Sequence, residues 1–261
     1  MGNKKKKKPN FAAEQKKGVV ASLPIANSWR TDPRLPYYFI FAFAVLIYAN
    51  SLLNKYALDD LMMVTENKFV KKGFSGIHEL LTTDTFVGFF GQDKNLLPGG
   101  RYRPLSLITF AIENQLWGMN PMLGHLINVL LYAFLCLLIF KILSMFFPPG
   151  KEKWFISFAF VTAVLFTAHP IHTEVVANIK GRDELLGWLG AFGTLYFCLR
   201  FLKKSNLLLL PLISVLFFLG LLSKESVITF FVIIPASLFF FTKASLKQYI
   251  QIIVFLIFSV I

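Results

Sequence analysis

Four clusters of ionisable residues hold the groups from which a group-transfer site could be assembled: Asp59-Asp60, Arg101-Tyr102-Arg103, the stretch from His169 to Glu184, and Lys224-Glu225. A carboxylate such as Asp59 or Asp60 can take a proton from an attacking hydroxyl. It can equally ligate a metal or cap a helix. The guanidinium groups of Arg101 and Arg103 suit a phosphate through parallel hydrogen bonds, or they snorkel from a membrane helix to its surface. In His169-Pro170-Ile171-His172-Thr173-Glu174, two histidines stand close to the carboxylate of Glu174. A divalent metal is one reading of that cluster. Pro170 between the histidines, and a pattern unlike helical HExxH, favour the other: hydrogen bonds to a bound substrate, with no metal and no cofactor. Arg182, at the start of an apolar run, can hold an anion with Asp183 orienting it, or simply pair with its neighbour. Lys224 and Glu225 are flanked by hydrocarbon-length runs and need partners. They pair with each other, or Lys224 neutralises a departing phosphate. Glu113 and His125, lone polar residues on apolar helices, read as packing hydrogen bonds.

Membrane-length runs must position these groups. Of the 261 residues, 56% are hydrophobic and 16% charged, and the mean hydropathy is +0.61. That balance excludes an ordinary soluble domain and predicts an all-α, multi-pass integral membrane protein. The apolar runs place spans at about 36–53, 122–147, 154–167, 185–202, 207–222 and 227–241. A last run, 250–261, is short for a crossing, so the chain is expected to be incomplete at its C-terminus. Residues 1–35 read as a disordered basic tail, with Lys4 to Lys8, Lys16, Lys17, Arg30 and Arg34 contributing to the net charge of +13. Beside an uncleaved signal anchor, such a tail directs topology and touches anionic lipid. Nucleic acid is not an expected partner, because nothing downstream has the pattern of a nucleic-acid fold. Gly2 opens no myristoylation motif, since Lys6 stands where Ser or Thr is required. Cys136 and Cys198 lie inside apolar runs as small buried hydrophobes.

Residues 54–103 form a first extramembrane loop with short interfacial helices. Asp60 is expected to cap a helix over 61–70, ended by Lys71-Lys72-Gly73. Ser75 is expected to cap another through Leu81. Residues 102–117, with Pro104 near a helix start, predict a membrane-associated helix or a re-entrant element. With the N-terminus in the cytoplasm, the loops 148–153, 203–206 and 242–249 receive Lys151, Lys153, Lys203, Lys204, Lys243 and Lys247. This is a positive-inside pattern. All four polar clusters then fall on the non-cytoplasmic face.

In chain order stand Leu58-Asp59-Asp60, the YRPLSLITF of Tyr102–Phe110, the GMNPMLGHLINVLLYA of Gly118–Ala133, the TAHPIHTEVVANIKGRDELL of Thr167–Leu186, and the LLSKES of Leu221–Ser226. This set resembles the membrane part of the transmembrane-and-tetratricopeptide-repeat protein O-mannosyltransferases and their bacterial relatives, in the GT-C class of glycosyltransferases. The resemblance covers most of residues 36–230. It implies that 36–261 is a polytopic helical bundle of the GT-C type, with interfacial helices in the first non-cytoplasmic loop. It implies an inverting transfer at that face, from a polyprenyl-phosphate sugar, usually mannose, to a Ser or Thr hydroxyl of an acceptor protein or peptide. It makes Asp60 the base, with Asp59 as second or helper. It sets Arg103, Arg182 and Lys224 on the lipid phosphate, with His169, His172 and Glu174 close by. Family members carry tetratricopeptide repeats after the membrane part and this chain carries none, so it is expected to be a fragment. The competing reading is a non-enzymatic flippase or transporter of a lipid-linked sugar. It would use the same cations but calls for polar residues on both faces or at mid-membrane. Lys and Phe usage and short loops point to a bacterial inner membrane, or to the endoplasmic reticulum for a eukaryotic chain.

Overall fold

A computed structural model describes residues 32–91, 101–148, 150 and 153–260. Most of the expected basic tail, and Lys151, lie outside the described residues. Within them, every regular element is helical.

Helix α1, Leu35–Tyr48, starts with Pro36 in its first turn and tightens into a 3-10 turn over Ala49–Leu53. The first loop then folds into a π turn, Leu61–Thr65, and three short helices: α2 (Lys68–Lys71), α3 (Ile77–Thr82) and α4 (Val87–Phe90). The single helix expected over 61–70 is therefore broken. Asn67 interrupts it, because its side chain accepts from the N–H groups of Phe69 and Val70 at 3.0 and 3.1 Å and starts α2 itself. Asp60 caps nothing, and its carboxylate is used elsewhere. Ser75 does not cap α3 either; its hydroxyl donates to the Lys72 carbonyl at 2.9 Å. The stop at Gly73 does occur, with φ of +61°.

Helix α5, Pro104–Trp117, begins at the proline, whose missing N–H costs nothing at that position. Helix α6, Pro121–Phe146, is capped by Asn120. Ser157 caps α7, Phe158–Ala168. The chain then bends by 49° through Pro170 into the turn Pro170–His172 and α8, Thr173–Val176. Pro170 forces His169 into extended backbone, so the helix cannot run through. Helices α9 (Arg182–Lys204), α10 (Leu209–Ser223), α11 (Phe230–Phe241) and α12 (Leu246–Phe258) complete the bundle. Three segments are long and apolar enough to cross a membrane: Leu35–Leu53, Pro121–Phe146 and Ile179–Lys204. The bent pair makes a fourth if it counts as one span. The segments expected as spans near 207–222 and 227–241 are shorter apolar helices.

Helix α6 lies between α1 and α9, α10 runs along α9, and α12 packs on α10. One apolar core joins α1, α6 and α7 around Ile40, Val129 and Ala163. A second joins α6 and α9 to α12 around Cys198, Phe217 and Ile234. A third, around Val70, Leu80, Leu107 and Phe110, roofs the end of the bundle with the loop helices and α5. The α9–α10 contact is close because glycines face one another. A Cβ on Gly190 would stand 2.6 Å from the Cα of Gly220, whereas one on Gly193 would meet its nearest atom at 3.6 Å. In hydrocarbon, such close approach supplies the packing that a hydrophobic driving force cannot.

Gly190→Ala is therefore expected to weaken the protein by about 1–3 kcal/mol through overpacking, while Gly193→Ala changes little. Unfolding of both variants in mixed detergent micelles would check this.

Candidate active site

Asp60 is 1% exposed. One carboxylate oxygen accepts from the N–H of Lys180 at 2.7 Å, the other from the N–H of Ala57 at 3.1 Å. It thus clamps the first loop to the segment preceding α9. Burial pushes its carboxyl above the ordinary carboxylate range, against the opposing pull of those two N–H groups. Asp59, on the same turn, is exposed at the surface. The preceding residue, Leu58, holds a left-handed φ of 48°. A β-branch-free residue tolerates this at a cost, and the reversal sends the two carboxylates to different environments. His125, on α6, is buried and acts electrostatically on Asp60. No hydrogen bond to its ring nitrogens meets strict geometry among the described residues, although the backbone of Lys55 lies close enough to interact with the ring.

Arg182 does not face a ligand space. It has no exposed surface. Its Nε donates to Asn128 at 3.0 Å, its Nη1 to Thr109 at 3.1 Å and to Glu113, and its Nη2 to the Gly124 carbonyl at 3.1 Å. The guanidinium also lies 4.4 Å from the centre of the Phe110 ring. The role read for Glu113 as a packing partner holds. The structure does not bring Arg182 to the other cations named with it for a lipid phosphate; four of its five N–H groups tie α5, α6 and α9 together.

Three further cations gather around the buried Asp183. Arg103 Nη1 donates to Asp183 at 2.6 Å, Arg103 Nε donates to Glu225 at 2.7 Å, and Arg103 Nη2 donates to the other Glu225 oxygen. Lys180 Nζ stands 3.7 Å and Lys224 Nζ 4.0 Å from Asp183, and Lys224 also pairs with Glu184. Three cations therefore form one ion-pair cluster with Asp183, Glu184 and Glu225. The sequence pairing of Lys224 with Glu225 is not made; the turn after Ser223 sends Glu225 to Arg103 and Lys224 to Glu184. Arg101 lies outside this group, with its guanidinium over the Phe86 ring at 5.4 Å. Lys180 and Glu184 were not singled out from sequence. Their signal was the charge density of Lys180-Gly181-Arg182-Asp183-Glu184 at a span end. Asn128 could have been found as an amide inside an apolar helix.

His169 and Glu174 are exposed, and the His172 ring packs 4.4 Å from that of Phe166. The His169 ring accepts from the Ile171 N–H at 3.3 Å, shaping the bend. No histidine joins the cation cluster through a hydrogen bond among the described residues. No group of His, Cys, Asp or Glu there is spaced to hold a metal.

An apolar cavity of about 560 Å³ opens between α6, α9 and α11. Ile142, Phe146, Phe192 and Phe230 help to line it, and Ser226 and Thr229 stand at one end. That end is next in sequence to Lys224 and Glu225. The other end reaches Phe147 and Phe241, at the opposite side of the bundle.

The chain is 34% identical over 145 residues to protein O-mannosyl-transferase TMTC1 of Homo sapiens, covering 55% of this chain and 15% of that protein. It is 29% identical over 148 residues to protein O-mannosyl-transferase TMTC3 of Mus musculus, covering 56% and 15%. It is 28% identical over 166 residues to protein O-mannosyl-transferase Tmtc3 of Drosophila melanogaster, covering 57% and 17%. Its curated relatives are named protein O-mannosyl-transferases. The motif resemblance and the overall similarity thus point to one family. The aligned chain spans about 15% of the length of these relatives. No family model and no solved structure matches the chain.

The Arg103 guanidinium holds the Glu225 carboxyl down, to about 2 from an ordinary 4.5. The Glu225 side chain is 65% exposed, so solvent screens part of this pair. A depressed carboxyl contributes stability in full above its unfolded value and loses it as the pH falls through the folded one. The link should therefore hold above about pH 4.5 and release toward about pH 2. Acid titration of the unfolding midpoint should show that step in the parent protein and a flatter profile in Glu225→Gln. Equal profiles would contradict the pairing.

Proposed function

We propose that this chain is the membrane part of a GT-C glycosyltransferase that moves mannose from a polyprenyl-phosphate donor to a Ser or Thr hydroxyl of an acceptor protein. The observation that carries the reading is the apolar cavity whose lining reaches Ser226, the residue after Glu225, which pairs with Arg103 of the cation cluster. An amphiphile with a long isoprenoid tail and an anionic head matches both parts at once. The tail would lie along α6, α9 and α11. The phosphate would displace Glu225 and Glu184 from Arg103 and Lys224. Glu225 can leave because it is largely open to solvent.

In the proposed reaction, the acceptor oxygen attacks the anomeric carbon from the side opposite the phosphate. A new carbon–oxygen bond forms as the bond to the phosphate oxygen breaks, and the configuration inverts. The electron pair leaves with the lipid phosphate, where Arg103 and Lys224 offset the growing charge. A carboxylate takes the hydroxyl proton. Exposure favours Asp59 for that role. Asp60, buried and bonded through both oxygens, acts as the positioning residue that fixes the loop carrying Asp59. Both lie on the face opposite the one where α1 begins, which we infer to be periplasmic or luminal.

Transfer of labelled mannose from polyprenyl-phosphate mannose to a Ser/Thr peptide, in membranes containing the protein, tests this reading. Asp59→Asn should lower transfer by about 100-fold or more, with donor binding and thermal stability retained. Asp60→Asn should lower transfer and stability together. Loss of transfer in Asp60→Asn alone, at unchanged stability, would move the base to Asp60. Donor binding without transfer in the parent protein would favour a lipid-linked sugar carrier instead.

A further inference from the structure

On the opposite side of the bundle, at the face where α1 begins, a second cavity of about 450 Å³ lies between α1, α6 and the start of α7. Arg34, Tyr37, Lys141, Ser144, Trp154 and Ser157 are among its lining residues. We propose that it binds the phosphate head group of an anionic phospholipid.

Two cations line the cavity. Among the described residues neither Arg34 nor Lys141 has a salt-bridge partner. The carboxylate on the same turn, Asp32, accepts from the Arg34 backbone N–H at 2.9 Å. Lys141 sits within a membrane span, five residues before its end at Phe146, so its ammonium needs an anion or water. Its Nζ instead lies over the Tyr37 ring, 5.6 Å from the centre. The two serine hydroxyls are already used. Ser144 and Ser157 donate to the carbonyls of Phe140 and Trp154, both at 2.8 Å. The two cations are therefore the charged donors on offer to an anion.

Depth selects a lipid over a soluble anion. Five residues of helix correspond to about 7.5 Å, a drop that a lysine stem spans by snorkelling. Tyr37 and Trp154 supply the aromatic surroundings typical of head-group level. Basic pockets between helices at this level bind acidic lipid head groups. Nothing in this site belongs to the sugar-transfer machinery, which lies at the other face.

The test is native mass spectrometry of the delipidated 261-residue chain with phosphatidylglycerol or phosphatidylcholine. One phosphatidylglycerol should be retained in preference. Removing both charges, in Arg34→Gln/Lys141→Gln, should weaken that binding by about 30-fold, since each cation near the surface contributes roughly a fivefold attraction. Lys203→Gln/Lys204→Gln, which removes two exposed cations from the same face, should stay within about twofold of the parent. Lys141→Arg should retain binding, which separates loss of charge from loss of fold. Equal weakening in both double variants would overturn the site in favour of diffuse attraction. Equal retention of the two lipids would overturn it, as would displacement of the lipid by inorganic phosphate.

Discussion

Arg182 holds a full charge with no exposed surface, on a helix that is long and apolar enough to span a membrane. Taking such a charge out of water costs several kcal/mol unless its donors are met. Here Asn128, Thr109, Glu113 and the Gly124 carbonyl meet them. Those partners come from α5 and α6, so one side chain fixes the start of α9 against both. Removing one partner from a buried pair of this kind typically costs about 3–5 kcal/mol. The surface chemistry depends on this tie because Lys180, Asp183 and Glu184 flank Arg182 in sequence.

From that anchored helix start, the site is built outward in two directions. The Lys180 N–H binds Asp60 and so brings the first loop down onto the bundle. Asp183 gathers Arg103, Lys180 and Lys224 from three separate segments. Gly181 permits the turn between them, since a Cβ there would collide with the Val175 carbonyl. A Gly-Arg-Asp sequence at a span end thus has a division of labour: close backbone approach, an internal tie, and an organiser of buried and half-buried cations. The cations are neutralised by carboxylates, one of them exposed, which leaves the cluster exchangeable for an anion of similar charge.

Composition and charge bias made the membrane bundle legible, because hydrocarbon-length runs and lysine-rich loops are direct consequences of the bilayer. The extent of α6 and the start of α5 at Pro104 followed from local signals that no tertiary contact overrides. The first loop was less legible. Asn67 and Asp60 are both good caps by type, and only the contact with Lys180, 120 residues away, decides that Asp60 turns inward. The same limit applies to the arginines. Arg103 and Arg182 look alike in sequence, yet one ends in an exchangeable cluster and the other in a closed one. Their fates depend on Glu225 and Glu113, which long-range packing brings to them. The pairing of Lys224 with Glu184 rather than Glu225 is likewise a product of the tight turn after α10.

In the function we propose, the apolar cavity and the cation cluster are two halves of one site for a lipid phosphate. Photocrosslinking with a polyprenyl-phosphate mannose analogue carrying a diazirine in its tail tests it most directly. Adducts should map to Phe192, Phe230 and their neighbours on α6, α9 and α11. They should fall when Arg103 and Lys224 are both changed to Gln. Adducts spread over the outside of the bundle, or adducts in the cavity that ignore those two cations, would contradict it.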